Sequence, residues 1–337
     1  MSRQFANGYA LLIGVNESNV KRWALPDLTK DIQALEHVLT HPQLCAYLKD
    51  NVNIVMGKAA TRKGILDGLE WLQGRIQADP SDNATAIIYY TGHGWCDETI
   101  EPTEYYLIPC DVREDRLKVR ALRATDFAEE IRSLNPQRLL VILDCCHAGG
   151  MGVKKVATLA EEYVPAALPS SFLMPDEKGV IGREADRLEG LTQGQGRAIL
   201  SSSSANQPSF IRRDGSMSIF TYHLIEALTG HAQPQQGAIE VLVSDVMSHV
   251  WRKVPQSAAR DWQATQQPDY RVSGNFPVAL LLGGKGLSEG KSLPDPLQFQ
   301  PNEAYRGGVS AEQESVAIGG DVSDSTIIVG HRNVVKK

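Results

Sequence analysis

The chain has 337 residues, 42% hydrophobic and 22% charged, which is a globular composition long enough for one large domain or a domain with an appendage. Its formal net charge of -6 excludes the strong basic excess of a nucleic-acid binder. The five cysteines (Cys45, Cys96, Cys110, Cys145 and Cys146) are few, odd in number and adjacent in one case, so they fit reduced thiols in a cytosol rather than a secreted disulfide framework.

Residues 9–15, YALLIGV, form a continuous apolar run, the signature of a strand buried on both faces. This run is too short for a signal peptide, and no run in the chain approaches the roughly 18 residues of a membrane span. Pro26 and Asp27 open a helical pattern with Ile32, Leu35, Val38 and Leu39 on one face. Residues 51–57 read as a second strand. Thr61 caps a helix whose stripe is Ile65, Leu69, Leu72 and Ile76. Residues 84–92 form a third strand ending in Thr-Gly-His-Gly, and a hairpin-like stretch follows at 103–112. Thr125 caps a short helix carrying Phe127, Ile131 and Leu134, and residues 138–144 form a strand ending in Cys-Cys-His-Ala-Gly-Gly.

Residues 151–197 lack periodicity. A loop this long inside a compact domain is functional or disordered. Order returns with a strand at 197–204, a helix at 218–230 ending on a Gly cap, a helix at 238–254 and a last strand at 275–284. The domain therefore spans 1–290. Residues 291–337 read as Pro- and Gly-bearing linker followed by short β-type runs, too short to bury a core alone. Alternating strands and helices predict an α/β fold: a mostly parallel sheet with helices on both faces. Ligands bind beyond the carboxyl ends of such strands, where both Gly-flanked turns fall.

A nucleophilic thiol needs a base within hydrogen-bond reach and donors for the oxyanion. His93 ends the third strand and can serve as acid and base. The Gly94 N–H and the backbone N–H of Cys146 are the oxyanion candidates. No third residue is named to orient His93, and a backbone carbonyl would suffice. A lone strand-end His or strand Cys is more often structural; it is the pairing of two such turns that points to chemistry. No metal or cofactor is assigned. The His/Cys set around residue 146 lacks C-x₂-C spacing, and the acidic loop Asp97, Glu98, Glu101 and Glu104 matches no defined calcium loop.

YYTGHG and LDCCHAGG, about fifty residues apart, resemble the two active-site segments of the caspase-like clan, in its metacaspase and orthocaspase branch. YALLIGVN, LPDLTKDIQAL, AILSSSSANQPSF, SIFTYHLIEAL and QQPDYRVSGNFPVALLL extend the resemblance over residues 5–284. It implies a caspase-haemoglobinase-like three-layer α/β/α sandwich with a mostly parallel six-stranded sheet. It places the catalytic pair on His93 and Cys146, with Cys145 at a variable position. Strand alternation allows only one of the two adjacent thiols to face His93. Ala148 stands where such proteins commonly carry Ser.

The resemblance also implies cleavage after Arg or Lys, with Asp31 and Asp144 as acidic residues of the S1 pocket. Two carboxylates at one pocket floor repel unless a cation sits between them, and a guanidinium is the natural guest. The alternative for Asp31 is a helix-start carboxylate meeting the dipole. In such proteins the loop after the nucleophile carries processing sites. Lys154, Lys155, Arg183 and Arg187 are the self-cleavage candidates, with an ordinary surface loop as the alternative. Calcium activation, which some metacaspases need, stays open. The expected partners are protein or peptide substrates and an effector complex recruited through the C-terminal tail, with no nucleic acid and no membrane. The alternative function is a non-catalytic adaptor of the same fold.

Overall fold

The structure is a computed structural model that describes residues 3–99, 101–145, 196–204, 207–232 and 238–282, and the strand backbones at 163–165, 327–329 and 334–336. The chain divides into two compact units, Met1–Phe299 and Gln300–Lys337.

The first unit is built on strands whose apolar residues run unbroken because both faces are covered. These are β1 (Gly8–Gly14), β2 (Val52–Met56), β3 (Thr85–Gly92), β7 (Arg138–Cys145), β9 (Gly196–Ser201) and β11 (Asp269–Ser273). They form one six-stranded sheet in the order β11-β9-β7-β3-β1-β2. Every pairing in it is parallel except that of the edge strand β11, which runs antiparallel to β9. On one face lie α1 (Leu28–Thr40), α5 (Ile219–Glu226) and α6 (Val243–Trp262), packed on Leu12, Ile87, Tyr89, Leu140 and Ile142. On the other lie α2 (Arg62–Gln77) and α4 (Ala124–Ser133), packed on Leu11, Ile88, Tyr90, Val141 and Leu143. This is the three-layer α/β/α sandwich that the sequence predicts.

Local chemistry sets the element ends. The Thr61 hydroxyl accepts from the Gly64 N–H at 2.9 Å, so the predicted cap of α2 is formed. The helix carrying Phe127 starts one residue before the predicted Thr125 cap. Arg123 holds the N-cap position without a side-chain bond, and Asp126 in the first turn pairs with Arg123 at 2.8 Å and Arg62 at 3.2 Å. Those cations take up the carboxylate that lies at the positive end of the helix.

A second, four-stranded antiparallel sheet follows β3. Its order is β6 (Leu122–Arg123), β5 (Glu104–Leu107), β4 (Gly94–Asp97), β8 (Tyr163–Pro165). Only β5 and its turn read as hairpin-like in sequence. The short helix α3 (Leu117–Arg120) lies between β5 and β6.

The C-terminal third departs most from expectation. The predicted helix at 238–254 is a short strand, β10 (Glu240–Leu242), followed by α6, which continues through Pro255 to Trp262. Proline removes the hydrogen bond to the carbonyl four residues back. That carbonyl, on Trp251, accepts instead from Gln267 Nε2 at 3.4 Å. The predicted last strand at 275–284 is the shorter β12 (Pro277–Leu280), and it pairs with β10 rather than with the main sheet, which is closed by β11, a strand just before it that the residue pattern did not assign. The helix at 218 ends as expected on a glycine with positive φ, Gly230 at 99°, within a wide turn at Ala227–His231.

In the second unit, β13 (Ile327–Val329) and β14 (Val334–Lys336) form an antiparallel two-stranded ladder.

Candidate active site

The β3–β7 register pairs Thr91 with Asp144 and Gly92 with Cys145. The sheet thereby sets side by side the residues that immediately precede His93 and Cys146. Gly92 is required where it stands, because a Cβ there would meet the Tyr90 hydroxyl at 2.8 Å and Val15 at 3.1 Å. His93 stands at the corner between β3 and β4.

His93 is 6% exposed. Its Nε2 lies 2.9 Å from the Trp23 carbonyl oxygen, and its own carbonyl accepts from Ile108 N–H at 3.1 Å and Tyr90 Oη at 3.2 Å. A carbonyl only accepts, so Nε2 carries the proton and Nδ1 holds the lone pair of the neutral ring. A backbone carbonyl thus orients the imidazole, as sequence reasoning allowed without naming it. Trp23 is held by a bond from its N–H to Val20 O at 2.8 Å and by its indole, 5.4 Å from that of Trp95. Both rings belong to a small cluster with Tyr106, Ile108 and Val112.

The described thiols are all committed to the interior. Burial raises Cys45 well above an ordinary thiol and pushes Cys96 and Cys110 up to about 11, which leaves little thiolate at neutral pH. Cys145 is 2% exposed and packs in the α2–α4 core beside Leu107 and Phe127. Alternation along β7 turns the preceding residue, Asp144, to the opposite face. Gly94 opens β4 next to His93. Cys146, Lys154, Lys155, Arg183 and Arg187 lie outside the described residues.

Asp144 and Asp31 are brought together at the carboxyl end of the sheet, from β7 and from the first turn of α1, and are 0% and 1% exposed. Hydroxyls surround Asp144: Ser209 donates to Oδ1 at 2.9 Å, while Ser218 and Thr221 donate to Oδ2 at 2.5 and 3.1 Å. Thr221 has one proton and gives it to the carboxylate, so Tyr89, 2.6 Å away, is the donor in their mutual bond. Asp31 Oδ1 accepts from the Ser218 N–H at 3.0 Å, so Ser218, the N-cap of α5, bonds both acids. Burial, and then the Asp144 charge, hold Asp31 well above the usual carboxylate range. Burial also raises Asp144, although the Ser218 and Ser209 hydrogen bonds oppose it. Nothing in the Asp31–Asp144 spacing along the sequence announced the hydroxyl set, which converges from Ser209, Ser218 and Thr221.

The acidic loop after His93 is used locally. Asp97 pairs with Lys118 at 3.0 Å, and Glu104 accepts from the Tyr106 hydroxyl at 2.6 Å. No helix among the described residues is long and apolar enough to cross a membrane.

No curated protein matches the chain. Among solved structures it is similar to caspase-1 from Spodoptera frugiperda, with 14% identity and a TM-score of 0.45, over 86% of this chain and 94% of that one. The family model described as the caspase domain, of the C14 peptidases, matches residues 7–276. The chain belongs to the caspase-domain family.

Proposed function

We propose that the chain is a cysteine endopeptidase of the metacaspase and orthocaspase kind, with a Cys146/His93 dyad, cleaving after Arg or Lys. The observation that carries the dyad is the anchoring of His93 Nε2 by the Trp23 carbonyl, at a strand end whose register partner immediately precedes Cys146. The burial of the other four cysteines supports Cys146 by elimination.

In this reading, His93 Nδ1 takes the thiol proton and the sulfur attacks the scissile carbonyl carbon. The N–H groups of Gly94 and Cys146 receive the oxyanion. His93 then protonates the leaving amine as the C–N bond breaks, leaving a thioester. Water, deprotonated by His93, hydrolyses the thioester and restores the thiol. Asp31 and Asp144 supply the specificity. Both are buried, each raises the cost of ionising the other, and a substrate guanidinium or ammonium between them relieves that repulsion. The reading extends to regulated proteolysis, with the tail as the recruiting element.

The test is a panel of fluorogenic peptides with Arg, Lys or Asp at the cleaved position, run with and without calcium beside Cys146→Ala. Cleavage after Arg or Lys that vanishes in the variant is expected. Cleavage after Asp would remove the roles of Asp31 and Asp144, and an unreactive Cys146 would favour an adaptor.

A further inference from the structure

Outside the candidate active site, a second set of chemistry-bearing side chains meets between α5 and α6. His223 and Glu226 are three residues apart on α5, so they share one helix face. His249 comes from α6, which packs against it. His223 Nδ1 lies 2.5 Å and His249 Nε2 2.9 Å from the same carboxylate oxygen, Glu226 Oε2. One ligand atom from each of the three residues falls within 4.8 Å of the others. The two imidazoles are 5% and 1% exposed, and Ser257 Oγ sits 2.8 Å from His223 Nε2, on the far side of that ring.

We infer that His223, Glu226 and His249 form a binding site for a borderline divalent cation of the zinc type. Two imidazoles and one carboxylate are a known donor set for such ions, with the fourth position left to water. Tetrahedral zinc holds its donors about 3.3 Å apart, given metal–ligand bonds of about 2.0–2.2 Å. The three side chains therefore need only small rotamer adjustments to admit it. Ser257 is the outer partner that fixes the His223 ring and leaves Nδ1 to the metal, as outer hydrogen bonds do for histidine ligands. Two clefts reach Glu226 from solvent. One, of about 490 Å³, passes His223 and Ser257, and the other, of about 350 Å³, passes His231 and His249. Entry therefore does not require unfolding. Arg212 and Lys253 line these clefts. Their charge opposes any dication, and it disfavours calcium and magnesium most, because those ions bind through charge and oxygen donors rather than imidazole.

The site clamps α5 to α6. The first turn of α5 carries Ser218 and Thr221, both bonded to Asp144, so the ion would stiffen the helix that supports the acidic pair.

The experiment titrates Co²⁺, and then Zn²⁺, into the full chain carrying Cys146→Ala, so that no metal can seat on that thiol. One equivalent of cobalt with visible ligand-field bands and no thiolate charge-transfer band is expected, together with a melting temperature that rises with zinc. Glu226→Gln and His249→Ala should each abolish both signals. No saturable binding, binding unchanged in both variants, or a thiolate band would overturn the proposal. Should either variant fail to fold, zinc-edge X-ray absorption of the Cys146→Ala chain reads the ligands directly. Two imidazoles in a nitrogen/oxygen shell support the site, and a sulfur-bearing or oxygen-only shell refutes it.

Discussion

Asp31 and Asp144, the proposed S1 pair, show how a site built for binding would oppose stability. Each has a folded pKa above its unfolded value of about 4. Between those values the folded chain binds more protons than the unfolded chain, so stability is greatest in acid and falls as pH rises through the folded pKa. At neutral pH the buried pair therefore costs stability, and Asp31→Asn removes part of that cost while still accepting from the Ser218 N–H. The variant should gain about 1 kcal/mol, a rise of about 2 °C in melting temperature. Its kcat/KM for an Arg peptide should fall on the order of 100-fold, the loss expected when one partner of a buried charge pair is removed. The same pair sets a pH dependence. KM for Arg peptides should climb as pH falls through the raised pKa of the Asp31–Asp144 pair, above the pH at which an exposed Asp protonates. Differential scanning calorimetry and peptide kinetics over pH read both effects. A destabilised Asp31→Asn that still cleaves normally would make the pair purely structural.

At the scale of elements, Thr61 is the clearest case of a local signal that survives folding. Thr61→Ala leaves the Gly64 N–H without its partner and should cost about 1 kcal/mol in chemical denaturation, with cleavage unchanged because α2 lies on the face away from Asp31 and Asp144. The strands β1, β3 and β7 were equally legible, since an unbroken apolar run has few other solutions. The helices α1 and α2 were legible through their period. The failures have physical causes that local pattern does not carry. Pro255 reads as a helix end, but Gln267 takes up the Trp251 carbonyl it frees, and α6 runs on. The residue pattern assigns no strand at β11, whose Tyr270 and Val272 are 42% and 45% exposed at the sheet edge and whose other positions are polar. The candidate site divides the same way. His93 is visible as a reactive side chain at a strand end, whereas Asp31 and Asp144 are singled out only through the family resemblance. Trp23 acts through its backbone, which no residue type can advertise, and the hydroxyls of Ser209, Ser218 and Thr221 converge only through tertiary packing. The His223–Glu226–His249 set depends on the facing of two helices, one of which the sequence began and ended in the wrong places.

For the molecule as a whole, the burial of the acidic pair bears on how activity is released. With Asp31 and Asp144 at 1% and 0% exposure, a substrate side chain would reach the proposed pair only after the packing around it opens. If a binding-competent form is a minor population, apparent affinity drops by the fraction competent; an opening cost of about 1.4 kcal/mol gives about a tenfold loss. In the proposed function, cleavage of the segment after Cys146 would lower that cost, with Lys154, Lys155, Arg183 and Arg187 as the basic positions. Freshly purified full-length chain should therefore show a lag before steady peptide cleavage, ending in a rate about tenfold higher. Intact-mass measurement should show fragments ending at one of those residues as the lag ends. Replacing all four by Ala should hold the enzyme at its initial rate, and Cys146→Ala should stay intact unless active enzyme is added. A lag that shortens with enzyme concentration means that one molecule cuts another, and a lag independent of concentration means that each cuts itself. Full activity from the first moment in a chain of undivided mass would show that the pair opens without processing.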